Sequence, residues 1–236
     1  MNHDLRQLLS ILSLVAIGFL PTSAPSLHAE GFESLCNGRD LEGWQGDPSL
    51  WSVEDGAITG ITTAEKPLKH NSFLIWQGKP LANFRLELQY RIVDGNSGIQ
   101  YRSRVIDPDK WIVGGYQADI EAGEKYTGIL YEEKGRGILA LRGERSTIAA
   151  DGESKKETFA DAAELQKNIR HEQWNDYVVE ARGSKLRHEI NGIVMSETID
   201  DETEKRTAEG VLALQVHVGP PMKVQFRNIR LKRFND

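Results

Sequence analysis

Phe84, Leu86, Leu88, Tyr90 and Ile92 alternate with Arg85, Glu87, Gln89 and Arg91. A period of two fits a half-buried strand and not a helix. Tyr177, Val179 and Ala181 repeat the pattern against Val178, Glu180 and Arg182, and residues 211–218 and 224–231 are further short apolar-rich runs. Turn signals separate such runs: Glu54-Asp55-Gly56, Asp94-Gly95-Asn96, Arg182-Gly183-Ser184 and Ile190-Asn191-Gly192. Short strands punctuated in this way predict an all-β sandwich or barrel. Gly95-Asn96-Ser97-Gly98 reads as a turn needing φ > 0 between two strands. No helix follows it, so it is not a phosphate loop.

One stretch departs from the alternation. Residues 144–172 are polar and charged, and 160–169 form a short candidate helix with Ala162, Ala163, Leu165 and Ile169 on one side. Such an insertion in a compact β domain is expected to be either a lid or a solvated loop. With 236 residues, one core and one domain over 30–236 are expected. The net charge of −6 with dispersed Lys and Arg offers no basic face for nucleic acid.

Residues 1–29 are expected to lie outside the fold. Arg6 is the only Lys or Arg of a polar start, residues 8–20 are nearly all apolar, and 21–29 are small and proline-broken. A helix of that apolar run rises about 1.5 Å per residue, too short for a hydrocarbon core of ~30 Å. The segment therefore predicts a secretory signal cleaved after Ala29 and a periplasmic or secreted protein; an uncleaved membrane anchor is the less favoured alternative. Cys36 is the sole cysteine, so no internal disulfide can form. Glu33-Ser34-Leu35 lacks the small residue of a lipoprotein signal, and Cys36 is expected to be a small buried hydrophobe within a strand.

Longer motifs occur in order: Ser34-Leu35-Cys36-Asn37-Gly38-Arg39-Asp40-Leu41-Glu42-Gly43-Trp44, Trp51-Ser52-Val53-Glu54-Asp55-Gly56-Ala57-Ile58, Asn83-Phe84-Arg85-Leu86, Gly95-Asn96-Ser97-Gly98-Ile99-Gln100-Tyr101-Arg102, Gln173-Trp174-Asn175-Asp176-Tyr177, and Leu214-Gln215-Val216-His217 with Phe226-Arg227-Asn228-Ile229. Together they make the chain resemble the 3-keto-disaccharide hydrolase family across residues 31–234. The resemblance implies a two-sheet antiparallel jelly-roll β-sandwich of the concanavalin-A-like lectin and glucanase superfamily. It also implies a carbohydrate substrate, a 3-keto-glycoside. Cleavage would run by removal of the C2 proton, elimination of the glycosidic oxygen and hydration. Two departures from the family's common form stand out: Gln117 and Asp119 stand where Glu and Gln are usual, and Val216 where Asp is frequent. The identity of the base stays open.

The residues themselves offer a candidate site. Gln117, Asp119 and Glu121 share one strand face, opposite Tyr116, Ala118 and Ile120. Gln100, Arg102 and Arg104 alternate on a second strand, and Gln215 with His217 on a third. Polar faces on three strands predict a groove, against the plainer reading of a solvated outer face. Within it His217, Asp119, Glu121 and Arg102 are the catalytic candidates. His217 suits a base or acid because its intrinsic pKa is about 6.5. Arg102 suits an enolate hole as a permanent planar cation, unless it pairs with Glu121 or Asp119. Asp119 and Glu121 serve as base, acid or, with His217, ligands for a divalent metal, although no tight metal motif occurs. Asn96, Gln100, Arg104, Gln117 and Gln215 are substrate-binding candidates. Trp111 and Tyr116 stack on a sugar ring or simply fill the core. His70, His171 and His188 are expected to be solvated.

The run Gln117-Ala118-Asp119-Ile120-Glu121 also resembles the catalytic strand of laminarinase-type glucanases. There Gln117 takes the nucleophile's place, and an amide cannot act as the nucleophile of a retaining glycosidase. No nicotinamide or flavin motif is present, so a separate sugar oxidoreductase would supply the ketone. The competing reading is a non-catalytic carbohydrate-binding module.

Overall fold

The computed structural model describes residues 31–234; the expected signal over 1–29 lies outside them. In chain order the strands are β1 (Glu33–Ser34), β2 (Trp44–Gln45), β3 (Trp51–Glu54), β4 (Ala57–Thr62), β5 (Ser72–Trp76), β6 (Phe84–Val93), β7 (Asn96–Asp107), β8 (Ile112–Glu121), β9 (Leu130–Glu133), β10 (Gly137–Ala140), β11 (Glu144–Ile148) and β12 (Ser154–Thr158). The helix α1 (Ala162–Gln166) follows, then β13 (Asn175–Arg182), β14 (Lys185–Ile190), β15 (Ile193–Asp200), β16 (Val211–Val216) and β17 (Met222–Arg233). They form two sheets. One runs β12-β11-β15-β14-β13-β6-β17-β4-β3 with β1 against β17, and the other β10-β9-β8-β7-β16-β5-β2. All pairings are antiparallel except β11 with β15. The chain is a two-sheet jelly-roll sandwich.

The alternation that predicts the strands also builds the core. Along β6 the apolar positions from Phe84 to Ile92 are buried while Arg85, Glu87, Gln89 and Arg91 are only partly covered. These side chains and Tyr177, Val179 and Ala181 of β13 meet Ile99 and Tyr101 of β7, Tyr116, Ala118 and Ile120 of β8, and Leu214 and Val216 of β16. The β14–β15 turn has φ of 52° at Asn191 and 79° at Gly192, the left-handed pair that matches strand twist in a tight hairpin.

Four local expectations are corrected. Residues 144–172 are not all loop: β11 and β12 pair as a hairpin that extends the first sheet. The exposed edge strand β12 carries Lys155 and Lys156, charges that blunt edge-to-edge association. The helix is shorter than expected, starting where the Asp161 side chain accepts from the Ala163 and Glu164 amides. Cys36 lies beyond β1, half-buried against the core, and not in a strand. His188 is not solvated. It is fully buried between Tyr101 and Tyr177, with Nε2 2.9 Å from the Tyr101 hydroxyl.

The second sheet's other face holds a smaller apolar cluster, Phe73, Ile75, Val113 and Ala213, flanked by Trp111 and Val211. The outer-face glutamines adjoin this cluster: Gln215 pairs with Phe73, and Gln100 with Ala213.

Candidate functional site

On that outer face the register of the second sheet aligns Ala213 of β16, Gln100 of β7, Gln117 of β8 and Tyr131 of β9 in one row. In the adjoining row Asp119 faces Gly98. A Cβ at Gly98 would stand 2.5 Å from the Gln117 side chain, so the glycine makes room for that amide to lie flat on the sheet. The result is a cleft of about 310 Å³ whose lining includes Asn71, Asn96, Gln117, Asp119, Tyr126, Tyr131, Glu133 and His217. Four residues singled out from the sequence, Asn96, Gln117, Asp119 and His217, thus meet in one place.

Asp119 is the floor of the cleft. Its Oδ1 accepts from Gln117 Nε2 at 2.7 Å, and its Oδ2 lies 3.4 Å from Asn96 Nδ2. Burial pushes its carboxyl up to about 7; the Gln117 and Asn96 donors oppose the rise, and the charges of Glu121 and Glu133 add to it. Glu133 is also raised by burial, against the opposing pull of Lys134, Asn71 and His217. His217 is half-buried just beyond β16, with Nδ1 directed at the Val218 carbonyl. When Nδ1 carries the proton of that bond, Nε2 is the acceptor nitrogen of the ring.

The other candidates are elsewhere. A bulge between Tyr101 and Arg104 breaks the parity of β7, and Arg102 has φ of 45°. Its guanidinium turns away from the cleft and donates to the Ala82 and Gly183 carbonyls at 2.7 Å and to Asn83 Oδ1 at 3.2 Å. It neither holds an enolate there nor pairs with Asp119 or Glu121. Arg104, beyond the bulge, is exposed and does not line the cleft. Glu121 ends β8, where its Oε2 accepts from the Lys125 and Tyr126 amides; it shapes the turn that presents Tyr126 to the cleft. Tyr116 faces the core, stacked on Tyr101, with its hydroxyl donating to Asp200. Trp111 packs on the apolar cluster. Gln100 and Gln215 are 0% exposed, donate to Gln117 Oε1 from the side and do not line the cleft. Among the described residues no group of three or more His, Cys, Asp and Glu stands close enough to hold a metal ion.

Sequence reading missed Asn71, Tyr126, Tyr131 and Glu133. Tyr131 and Glu133 carry a faint signal, since two positions apart on β9 they share a face; Asn71 and Tyr126 lie outside the strands and carry none. The insertion borders a different cavity of about 910 Å³, lined by Tyr90, Glu121, Arg142 and Gln166 among others. Arg142 ties that region together through the Glu124, Thr127 and Ala162 carbonyls. Among the described residues no helix is long and apolar enough to cross a membrane.

Comparison with known proteins adds context to this geometry. The profile of the 3-keto-alpha-glucoside-1,2-lyase-like domain family matches residues 31–232. Comparison with curated proteins finds no match. Among solved structures, the fold is similar to a "putative glycosyl hydrolase" from Parabacteroides distasonis ATCC 8503, with 20% identity, TM-score 0.57, and 88% of this chain and 95% of that one covered. It is also similar to carbohydrate-binding module CBM66 from Bacillus subtilis, with 16% identity, TM-score 0.51, and 80% and 95% covered. A third likeness is to the Bacillus licheniformis β-glucanase, with 10% identity, TM-score 0.50, and 86% and 97% covered.

Proposed function

Since the chain belongs to the 3-keto-alpha-glucoside-1,2-lyase-like domain family, we propose that its cleft cleaves 3-keto-glycosides, with Asp119 as the base that removes the C2 proton. The observation that carries this reading is a buried carboxyl on the cleft floor, pushed up to about 7 by burial. A base of that strength is matched to neutral pH. A ketone at C3 acidifies the C2 hydrogen; without it no carboxylate removes that proton.

In the first step Asp119 Oδ2 takes the C2 proton and the electron pair moves into the enolate of the C3 ketone. The enolate then collapses, a C1–C2 double bond forms, and the C1–O bond breaks with its electrons on the leaving oxygen. His217, which lines the cleft beside Glu133, protonates that oxygen. Water next adds to C1 and a proton returns to C2, so that the sum of the steps is hydrolysis. With Arg102 committed to backbone carbonyls, the enolate is held by neutral donors of the lining, the Asn96 amide and the Tyr126 and Tyr131 hydroxyls. Direct retaining hydrolysis lacks its nucleophile, because an amide stands at Gln117.

Two further parts of the reading come from the sequence. The apolar run over 8–20 supports export to the periplasm or the medium, and the lack of a nucleotide motif supports a separate oxidoreductase as the source of the ketone. The second reading, a carbohydrate-binding module without turnover, is favoured by the likeness to CBM66 and by the lack of a Lys or Arg among the cleft-lining residues. Incubating the purified chain with a 3-keto-disaccharide and with its unoxidised parent separates the two. Release of the aglycone from the keto sugar alone supports the lyase; binding without release supports the module.

A further inference from the structure

The polar residues beneath the cleft are joined in one directed series. Ser103 Oγ donates to Gln100 Oε1 at 2.6 Å, Gln100 Nε2 to Gln117 Oε1 at 2.7 Å, and Gln117 Nε2 to Asp119 Oδ1 at 2.7 Å. Gln215 Nε2 adds a second donor to Gln117 Oε1 at 3.1 Å. Gln100 and Gln215 are 0% exposed and Ser103 3%, and none of the three lines the cleft beside Asp119 and Gln117.

The direction of the series is fixed by what its reversal would leave behind. The amide orientations follow from the hydrogen-bond network. The Gln215 Oε1 is already buried without a partner. Turning the amides round would put a buried, unpaired N–H group in its place, and orphaned donors are rarer than under-satisfied carbonyls. Reversal would also aim the Gln117 carbonyl at Asp119 Oδ1, two acceptors that share a bond only if Asp119 keeps a proton between them.

We infer that Ser103, Gln100 and Gln215 are positioning residues that lock the Gln117 amide onto Asp119 Oδ1 and leave Oδ2 as the single oxygen that gains and loses a proton. The inference rests on the reading of Asp119 as the base, and it assigns which atom of Asp119 works. Among the described residues Oδ2 meets only the distant Asn96 amide, so it is the oxygen left for a C2 hydrogen. The other groups facing Asp119 do not compete for Oδ1. Glu121 and Glu133 are carboxyls and act on it through charge, His217 lines the cleft beside it, and the Tyr177 hydroxyl meets its backbone carbonyl.

The test is a titration of Asp119 in the full chain, followed through its side-chain carboxyl carbon by NMR, in wild type, Gln117→Leu, Gln100→Leu and Ser103→Ala. In wild type the Gln117 side-chain N–H resonances should move with the Asp119 midpoint. The midpoint should rise by about one pH unit in Gln117→Leu, because the donor to the charged form is gone. It should rise by less, in the same direction, in Gln100→Leu and Ser103→Ala, where that donor is only loosened. Ser103→Ala removes one oxygen and keeps the result readable should Gln100→Leu not fold. Wild-type Gln117 N–H resonances that ignore the Asp119 midpoint would overturn the inference, as would an unmoved midpoint in Ser103→Ala and any folded Gln100→Leu. So would a higher KM in Gln100→Leu with an unmoved pH profile of kcat, since that returns Gln100 to sugar binding. The titration needs no turnover, so a failure of the lyase reading would appear separately, as an intact coupling in a chain that cleaves nothing.

Discussion

Asn71 joins Glu133 to the segment that carries His217. Its Nδ2 lies 3.3 Å from Glu133 Oε1, and its Oδ1 accepts from the Val218 amide at 2.9 Å. One loop side chain thus sets the spacing of the acid-side pair across the cleft. Asn71→Ala should lower kcat on the order of 10- to 100-fold, the cost of misplacing a reacting group by about 1 Å. Asn71→Asp, which repels Glu133 and cannot donate to it, should do no better. Steady-state kinetics with a 3-keto-glycoside measures both; an unchanged kcat in Asn71→Ala would detach the loop from the chemistry.

Activity should follow the protonation of Asp119. The base works when ionised, so kcat/KM should climb as pH rises through about 7. Asp119→Asn keeps an acceptor for the Gln117 amide but has no basic oxygen. It should lose about 10²- to 10⁴-fold in kcat and the pH limb with it.

Stability should move the opposite way at two buried groups. Asp119 has a folded pKa near 7, raised above its ordinary 3.8, so the native state binds more protons than the unfolded state between those values. Its burial is without cost below about 3.8 and destabilises fully above 7, on the order of a few kcal/mol. His188 is pushed down from 6.5 to about 3 by burial. It leaves the fold undisturbed above 6.5 and destabilises progressively as pH falls toward 3, again by on the order of a few kcal/mol. Melting curves should therefore find Asp119→Asn more stable than wild type at pH 8 and converging with it near pH 4. His188→Gln should lose less stability than wild type between pH 6.5 and 4. Parallel pH profiles for all three proteins would contradict both assignments.

Arg102 should be a residue of the fold and not of the reaction. Its three donors hold the Ala82 and Gly183 carbonyls and Asn83. Arg102→Ala should cost about 2–4 kcal/mol by denaturant unfolding, as three charge-assisted bonds are lost. The folded fraction should keep its kcat; a large fall in kcat at full folding would put the guanidinium back in the reaction.

The uneven legibility of this chain has physical causes. Strand β6 could be read residue by residue, because a sheet with one buried face writes its period into the sequence. The same parity grouped Gln117 with Asp119 correctly. It failed at Arg102, since the bulge after Tyr101 shifts the parity and no residue type announces it. Glu121 follows the same parity but sits at the strand's end, where the Lys125 and Tyr126 amides claim its carboxylate and it lines the other cavity. His188 looked solvated because it neighbours Arg187 and Glu189, yet alternation sends it inward between two tyrosines. Asn71 joins the cleft only through contacts made by the finished fold.

The central claim is that Asp119 removes the C2 proton of a 3-keto-glycoside. Its most direct measurement is single-turnover cleavage of a 3-keto-glycoside carrying deuterium at C2, compared with the protiated sugar and with the unoxidised parent. If removal of the C2 hydrogen limits the rate, the deuterated sugar reacts more slowly in wild type, the difference is greatest at limiting pH, and the parent glycoside stays intact. Cleavage of the parent at a comparable rate, or of the keto sugar by Asp119→Asn at the wild-type rate, would contradict it.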